Sequence, residues 1–261
     1  MKLDWLGIDK EMKVTAISIP SPVYGDESDS VKTIVKRMVD SGHRLLPIIK
    51  GNSELVGVVT YTDILSALLR GMTRNTQVSI FMTRDVIACD HDDTIKDALQ
   101  KMVFSRRGTL PIRSGKILRG IVSERDFTKI IFGKHLSIPV SEVMTRKPFY
   151  ITPGTTILNC MKSIINTHYR RLPVVENKEI VGIVTALDVL NYLDETGFNT
   201  LKLDDATSSI MKAPVFSVSQ HDDLSDAIKI MIGNHIGGLP VIEEGLLAGI
   251  ITERDVVELM E

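Results

Sequence analysis

The sequence predicts an α/β (α+β) fold built from four copies of one strand-helix-strand-strand-helix repeat, because two short motifs recur together along the chain. The first motif is Leu-Pro followed by apolar residues, and its copies lie about 65 residues apart. The second motif is Gly, two apolar residues, Thr or Ser, two further residues and Asp, and it follows each Leu-Pro motif. The prolines are Pro47, Pro111, Pro173 and Pro240, and the glycines are Gly57, Gly120, Gly182 and Gly249.

The elements of a repeat follow from its local pattern. In repeat 2 a short apolar run at residues 86–89 predicts a strand. Ile95, Ala98, Leu99 and Met102 then recur at helical spacing and predict an amphipathic helix. The Leu-Pro run and the glycine run predict two further strands, and the apolar positions after the motif aspartate predict a second helix.

We expect four domains, at residues 14–70, 79–133, 140–195 and 207–261. A repeat of this size buries too little apolar surface to be stable alone, so the repeats should pack in pairs. Repeats 1 and 3 carry arginines before Leu-Pro, whereas repeats 2 and 4 carry glycines there and a Glu-Arg-Asp triplet in the second motif. This alternation predicts a duplicated pair, with repeat 1 beside repeat 2 and repeat 3 beside repeat 4.

The second motif allows two interpretations. One is a helix cap, in which Thr or Ser accepts a backbone hydrogen bond and the acid three residues later closes a capping box. The other is a ligand site, since a helix start attracts phosphate and a short carboxylate accepts hydrogen bonds from ribose hydroxyls. All four acids are Asp rather than Glu or Gln, and the glycine suits a ligand lying against the backbone. The two roles are compatible.

These motifs resemble CBS (cystathionine-β-synthase) domains. The chain is similar to stand-alone prokaryotic four-CBS proteins and to the gamma subunit of AMP-activated protein kinase, in which CBS pairs (Bateman modules) form a disc. The resemblance implies a regulatory protein that binds AMP, ADP or ATP and acts through an unknown regulated protein. It implies ribose contacts from the motif aspartates Asp63, Asp126, Asp188 and Asp255.

The resemblance also implies contacts to phosphate and adenine. The adenine would lie beside the first strand of each repeat, near Tyr24, Ala88, Tyr150 and Ser217. The phosphate contacts would come from the motif hydroxyls and from the basic residues before Leu-Pro, namely Thr60, Ser123, Thr185, Thr252, Arg44, Arg170 and Arg171.

Two departures from the family pattern bear on these expectations. Repeat 1 has Ile19-Pro20 where the other repeats have Met-Thr or Met-Lys, which puts its first pairing segment in doubt. Repeats 2 and 4 lack basic residues directly before Leu-Pro, so Arg125, Arg254 or arginines of the opposing module would have to contact phosphate there. The alternative for both arginines is ordinary solvation on the first turn of a helix.

Other function classes receive less support. No Ser-His-Asp, Cys-His or paired-carboxylate arrangement stands apart from the repeat, so we expect no enzyme, no catalytic residue and no catalytic cofactor. The His-Asp-Asp runs at residues 91–93 and 221–223 fit helix caps better than a metal site. S-adenosylmethionine remains an alternative ligand, because it also carries adenine and ribose, although it would leave the arginines without a phosphate.

Composition sets the remaining expectations. A net charge of −2 and the absence of long basic runs argue against nucleic acid as a partner, although a protein- or nucleic-acid-binding scaffold stays an alternative. No apolar stretch is long enough to span a bilayer, and the first residues lack a secretory signal pattern. Cys89 and Cys160 lie far apart without metal-ligand spacing. We therefore expect a disulfide-free cytoplasmic protein without a membrane partner, which could also form a homodimer.

Overall fold

The computed structural model describes residues 3–261. The chain divides into two compact units. The first unit contains residues 3–22, Ile87–Pro148 and Phe216–Glu261, and therefore holds the main parts of repeats 2 and 4. The second unit contains Val23–Val86 and Phe149–Val215, and holds the main parts of repeats 1 and 3.

Helices occur at the positions that the apolar periodicity predicts. The first long helix of each repeat begins after a capping residue, and Gly42 ends α1 in the left-handed conformation (φ 69°) that favours glycine. Short 3-10 turns occupy Val14–Ala16, Val78–Ile80, Thr200–Asp204 and Thr207–Ser209. The helices are α1 (Val31–Ser41), α2 (Tyr61–Leu69), α3 (Ile95–Ser105), α4 (Glu124–Ile130), α5 (Val140–Val143), α6 (Ile157–Thr167), α7 (Ala186–Glu195), α8 (Leu224–Gly233) and α9 (Glu253–Met260).

The strands of each repeat pair in one pattern. A two-residue strand runs parallel to the Leu-Pro strand, and the Leu-Pro strand runs antiparallel to the glycine strand. In repeat 3 the first strand is reduced to a single parallel bridge between Ile151 and Val174. The strands are β1 (Gly25–Asp26), β2 (Leu45–Lys50), β3 (Glu54–Thr60), β4 (Cys89–Asp90), β5 (Thr109–Ser114), β6 (Ile117–Ser123), β7 (Thr145–Arg146), β8 (Arg171–Glu176), β9 (Glu179–Thr185), β10 (Val218–Ser219), β11 (Gly238–Glu243) and β12 (Leu246–Thr252).

A short leading segment precedes each repeat and pairs with the glycine strand of its neighbour. The leading segment of repeat 2 pairs with β3 of repeat 1, and that of repeat 1 pairs with β6 of repeat 2. Repeats 3 and 4 exchange their leading segments in the same reciprocal way. The four bridges join Thr83 to Val58, Ile19 to Ile121, Lys212 to Ile183 and Thr145 to Ile250.

The expectation for the first leading segment was wrong by one residue. Ile19 occupies the position of Thr83, Thr145 and Lys212, so Ser18 rather than Ile19 replaces the methionine of the other repeats. Ile19 and Ile121 exchange two backbone hydrogen bonds, of 2.9 and 3.0 Å. The backbone carries this pairing, so it tolerates the different side chains of repeat 1.

Each unit has its own hydrophobic core. In the second unit the buried faces of α1, α2, α6 and α7 pack together with the Leu-Pro strands β2 and β8. In the first unit α3, α4, α8 and α9 do the same with β5 and β11. Cys89 and Cys160 are buried in these cores as free thiols. The predicted mixed α/β fold of four repeats is confirmed.

Candidate functional site

The motif aspartates close a capping box in all four repeats. One carboxylate oxygen, Oδ2, accepts a hydrogen bond from the backbone N–H of the motif Thr or Ser, at 2.7 to 2.9 Å. The same oxygen accepts a second bond from the Thr or Ser hydroxyl, at 2.6 to 2.7 Å. The capping box therefore accounts for the Oδ2 oxygen of each motif aspartate. Its two hydrogen bonds also fix the rotamer of the aspartate side chain.

The other oxygen, Oδ1, is turned away from the cap. In repeat 3 the Asp188 Oδ1 lies 2.7 Å from Nζ of Lys212, and in repeat 4 the Asp255 Oδ1 accepts a 3.4 Å hydrogen bond from Thr145. Both partners belong to leading segments, so two repeats together build each of these sites. Within residues 3–261, no hydrogen bond reaches Oδ1 of Asp63. Burial raises the pKa of Asp255 above its ordinary value, because the carboxylate is removed from water.

The motif hydroxyls already donate a hydrogen bond within their own repeat, which the sequence analysis did not predict. Thr60, Ser123, Thr185 and Thr252 each donate their proton to the Asp Oδ2. A phosphate oxygen accepts hydrogen bonds and needs a donor, so these hydroxyls would have to rotate away from the carboxylate to bind it. Their role as phosphate ligands stays a prediction.

The structure gives a different reason for the motif glycine from the one that the sequence suggested, which was a ligand lying against the backbone. A Cβ at Gly120 would lie 2.9 Å from the carbonyl oxygen of Ile19, and one at Gly249 would lie 3.0 Å from that of Thr145. The glycine therefore admits the leading segment of the neighbouring repeat, which approaches the strand backbone closely. Its presence does not by itself indicate a ligand.

Three arginines lie at the starts of the second helices of repeats 1 and 3. The backbone carbonyl of Arg44 accepts a 3.4 Å hydrogen bond from Tyr61 N–H at the start of α2, and that of Arg170 accepts a 3.2 Å bond from Ala186 N–H at the start of α7. Arg171 is paired in register with the cap residue Thr185. Burial raises the pKa of Tyr61, while the positive charges of Arg170, Arg44 and Arg171 oppose this shift. All three arginines therefore lie beside the start of α2 or of α7 in the second unit.

The helices α4 and α9 of repeats 2 and 4 begin with buried glutamates, where α2 and α7 begin with Tyr61 and Ala186. Glu124 and Glu253 are each 1% exposed and begin α4 and α9. Arg125 of repeat 2 donates from Nε to Glu253 of repeat 4 at 2.7 Å, and Arg254 of repeat 4 lies 3.7 Å from Glu124 of repeat 2. The two repeats are thus joined by crossed ion pairs.

These pairs change the expectation for Arg125 and Arg254. Arg254 also donates to Glu258 at 2.6 Å and to two backbone carbonyls at the end of α3. Both guanidinium groups are about three-quarters buried or more, so neither arginine is the solvated side chain of the alternative interpretation. They neutralise glutamates, which competes with the predicted contact to phosphate.

The predicted adenine positions lie directly before the first strand of each repeat. Tyr24 and Tyr150 are about half exposed, and Ala88 and Ser217 are partly buried. The residue before three of these positions is also a large exposed hydrophobe, at Ile87, Phe149 and Phe216. Large exposed apolar side chains therefore recur at this position of the repeat, and such side chains are common at binding surfaces.

Comparison with known proteins agrees with this repeated architecture. The CBS domain model matches residues 14–70, 77–133, 140–195 and 207–261. The chain belongs to the CBS domain family. The four matched ranges correspond to the four repeats that the motifs predict, and each range contains one capping box of the kind described above.

Relatives of the whole length exist among CBS proteins. The uncharacterized protein MJ1225 of Methanocaldococcus jannaschii is 27% identical over 256 residues, covering 88% of this chain and 91% of the relative. Its crystal structure, described as a proposed archaeal homologue of g-AMPK, superimposes with a TM-score of 0.87 over 96% of this chain and 100% of that one, at 25% identity. A conserved protein of Pyrococcus horikoshii has the same fold, with a TM-score of 0.65, 22% identity, and coverage of 96% of this chain and 100% of its own.

Sequence reasoning missed two groups of residues in this CBS chain. Lys212 was noticed only as part of the Met-Lys pair before repeat 4, although its ammonium group reaches a motif aspartate of the preceding repeat. Glu124 and Glu253 were visible as part of the Glu-Arg-Asp triplets, but their partners lie in another repeat. In the part of the chain that the structure describes, no group of three or more His, Cys, Asp or Glu side chains is placed to hold a metal ion. No helix there is long and apolar enough to cross a membrane.

Proposed function

We propose that this CBS protein binds phosphorylated adenosines, namely AMP, ADP or ATP, and regulates a partner protein according to which of them is bound. The observation that supports this most strongly is the state of the motif carboxylates. Each has one oxygen fixed in the capping box, and in repeats 3 and 4 the second oxygen contacts a leading segment of the neighbouring repeat. A carboxylate held in this way is prepared to accept two hydrogen bonds from the vicinal hydroxyls of a ribose.

The second unit supplies the charge that phosphate requires. Arg44, Arg170 and Arg171 lie at the starts of α2 and α7, where the helix dipoles also favour an anion. Guanidinium groups bind phosphate with two parallel hydrogen bonds, which makes such contacts both strong and directional. In repeat 3, Lys212 adds a further cation within reach of the same ligand.

Regulation would follow from differential binding rather than from chemistry. The motif aspartates are the residues that this proposal assigns to ligand, and their hydrogen bonds hold the ligand without activating a nucleophile. Mono-, di- and triphosphates would contact the arginines to different extents and so favour different arrangements of the repeats. A partner protein, or a second copy of this chain, would respond to that difference. We propose no catalytic activity.

Isothermal titration of AMP, ADP, ATP, adenosine and S-adenosylmethionine tests the proposal. We expect micromolar binding of at least one phosphorylated adenosine. In the variant Arg170→Gln/Arg171→Gln its affinity should fall at least tenfold, or about 1.4 kcal/mol, whereas that of adenosine should change little. The matched control is Lys32→Gln/Lys36→Gln, which removes two exposed cations from the same unit.

Two results would contradict the proposal. If S-adenosylmethionine binds and none of the phosphorylated adenosines does, the protein is a CBS regulator of a different ligand class. If none of the five compounds binds, the motif acts only as a helix cap, and the ligand assignment fails.

A further inference from the structure

The motif aspartate of repeat 3 forms an ion pair with a lysine of the next repeat. Oδ1 of Asp188 lies 2.7 Å from Nζ of Lys212, which belongs to the leading segment of repeat 4. The Asp188 side chain is 8% exposed, whereas that of Lys212 is 70% exposed. The oxygen that the proposed function assigns to ribose is thus already occupied, by a cation that remains largely in water.

No other leading segment carries a cation at this backbone position. The residues equivalent to Lys212 in the other three segments are Ile19, Thr83 and Thr145. The nearest counterpart is a lysine in repeat 2, which lies 3.6 Å from the motif aspartate but belongs to the same helix, namely Lys129 beside Asp126. Repeat 3 is therefore the repeat in which a neighbouring repeat supplies the charge that balances the motif carboxylate.

The backbone of Lys212 is fixed, whereas its side chain can move. Lys212 and Ile183 exchange two backbone hydrogen bonds, of 2.9 and 3.1 Å, and Ile183 lies in β9 two residues before the cap residue Thr185. The ammonium group therefore stays within reach of the start of α7. Because it sits on a flexible four-carbon stem and is largely exposed, its ion pair with Asp188 is weak enough for a ligand to displace. The displacement does not require the leading segment to move.

The charge of the ligand decides whether this displacement is favourable. Ribose hydroxyls that replace the ammonium group leave a buried carboxylate without its cation, which is costly unless a positive charge stays nearby. A nucleotide places its phosphate at the start of α7, beside the same carboxylate, because Asp188 is held against the cap residue of that helix. Lys212 can then pair with the phosphate. A nucleoside provides no such anion, and the sulfonium of S-adenosylmethionine brings a second cation instead.

We infer that Lys212 is a specificity-determining residue of the repeat 3 site, which disfavours uncharged and cationic adenosines and favours those that carry a phosphate. This inference rests on the proposed function and assigns part of its ligand selectivity to one residue. Without ligand, Lys212 holds the ribose-binding oxygen of Asp188. With a nucleotide bound, Lys212 pairs with the phosphate and leaves that oxygen to the ribose.

Calorimetric titration of AMP, and of adenosine in competition with AMP, tests the inference in the variant Lys212→Met. This variant keeps a long, unbranched side chain and removes its charge. The repeat 3 site is identified as the binding component that Asp188→Asn weakens. At this site Lys212→Met should lower the affinity for AMP about fivefold and raise that for adenosine about twofold, so that the preference for AMP falls about tenfold.

Two further variants make the test specific. Lys212→Thr introduces the residue that Thr83 and Thr145 provide at the equivalent positions, and it should lower the preference for AMP in the same way. Lys162→Met is the matched control, because it removes an exposed cation from α6 of the same repeat, and it should change neither affinity.

Three results would count against the inference. An unchanged preference for AMP over adenosine in Lys212→Met would overturn it while the proposed function stands. An equal loss of affinity for both ligands would also overturn it, because Lys212 would then serve only to position the leading segment. If no phosphorylated adenosine binds to the unmodified chain, the proposed function fails together with the inference.

Discussion

Replacing Asp188 with Asn separates the two functions of a motif carboxylate. In repeat 3 the Asp188 Oδ2 accepts bonds from the backbone N–H and the hydroxyl of Thr185, and Oδ1 lies 2.7 Å from Lys212. Asn keeps one acceptor oxygen for the cap but carries no negative charge. The helix start should therefore survive, while the proposed contact to ribose is weakened.

The size of the effect follows from the contacts. A hydrogen bond to a charged group contributes about 1.5 to 3 kcal/mol, and the proposed ribose contact uses two of them. The side chain of Lys212 is 70% exposed, so displacing it from Oδ1 costs about 1 kcal/mol or less. We expect a net loss of at least about 2 kcal/mol at this site, which corresponds to about thirtyfold or more in Kd.

Calorimetric titration of AMP into Asp188→Asn measures this loss of affinity. Thermal unfolding of the same variant measures how much the cap contributes to stability. The melting temperature should fall by only a few degrees, since a weakened cap costs about 1 kcal/mol. Asp194→Asn, near the end of the same helix, is the control for the change of charge and should bind AMP normally. An Asp188→Asn variant in which every AMP site keeps its original affinity would refute the reasoning, because the carboxylate would then serve only as a cap.

Three further predictions concern stability and reactivity. Gly120→Ala should cost about 2 kcal/mol more than Gly182→Ala in urea unfolding, because the new Cβ meets a fixed backbone carbonyl at 2.9 Å in the first case and only a flexible methionine side chain in the second. Arg125→Ala should destabilise the chain by about 3 kcal/mol in the same assay, because it breaks an ion pair to a glutamate that is 1% exposed. Burial raises the pKa of Cys89 and of Cys160 to about 12, so neither thiol should react with a disulfide reagent at pH 8 until the protein unfolds.

Each of these predictions has a result that contradicts it. Equal costs at the two glycines would mean that the leading segment moves freely and does not explain the motif glycine. An Arg125→Ala variant as stable as Lys129→Ala, which removes an exposed cation from the same helix, would mean that the ion pair contributes nothing. Rapid labelling of one thiol in the folded protein would show that its surroundings open to solvent.

The sequence predicts the repeated part of this fold well, because each repeat carries its own local signals. Period-3.6 apolar positions specify α3, and the capping residues specify where α2 and α7 begin. The position of every motif aspartate relative to its helix follows from the same signals. Four copies of one pattern also reinforce one another, although the first strand expected in repeat 3 is reduced to the single bridge at Ile151.

The interactions between repeats are not predictable from such local signals. The exchange of leading segments joins residues that are far apart in the chain, and no local pattern identifies Ile19 as the partner of Ile121. For the same reason the motif glycine was interpreted through a ligand rather than through that neighbouring strand. The crossed pairs have a sequence signature in Glu-Arg-Asp, but only the fold shows that Arg125 reaches Glu253. The charge difference between the two kinds of repeat is visible in the sequence, but the pairing of Arg125 and Arg254 with glutamates of another repeat required the structure.

The central claim is that the second oxygen of a motif carboxylate binds ribose, and a crystal structure of the chain grown with AMP tests it most directly. We predict that the ribose hydroxyls lie within hydrogen-bond distance of Oδ1 of Asp188, with Oδ2 still bound to Thr185 and the phosphate against the arginines of the second unit. An AMP bound elsewhere, with Asp188 occupied only by its cap and by Lys212, would contradict the account.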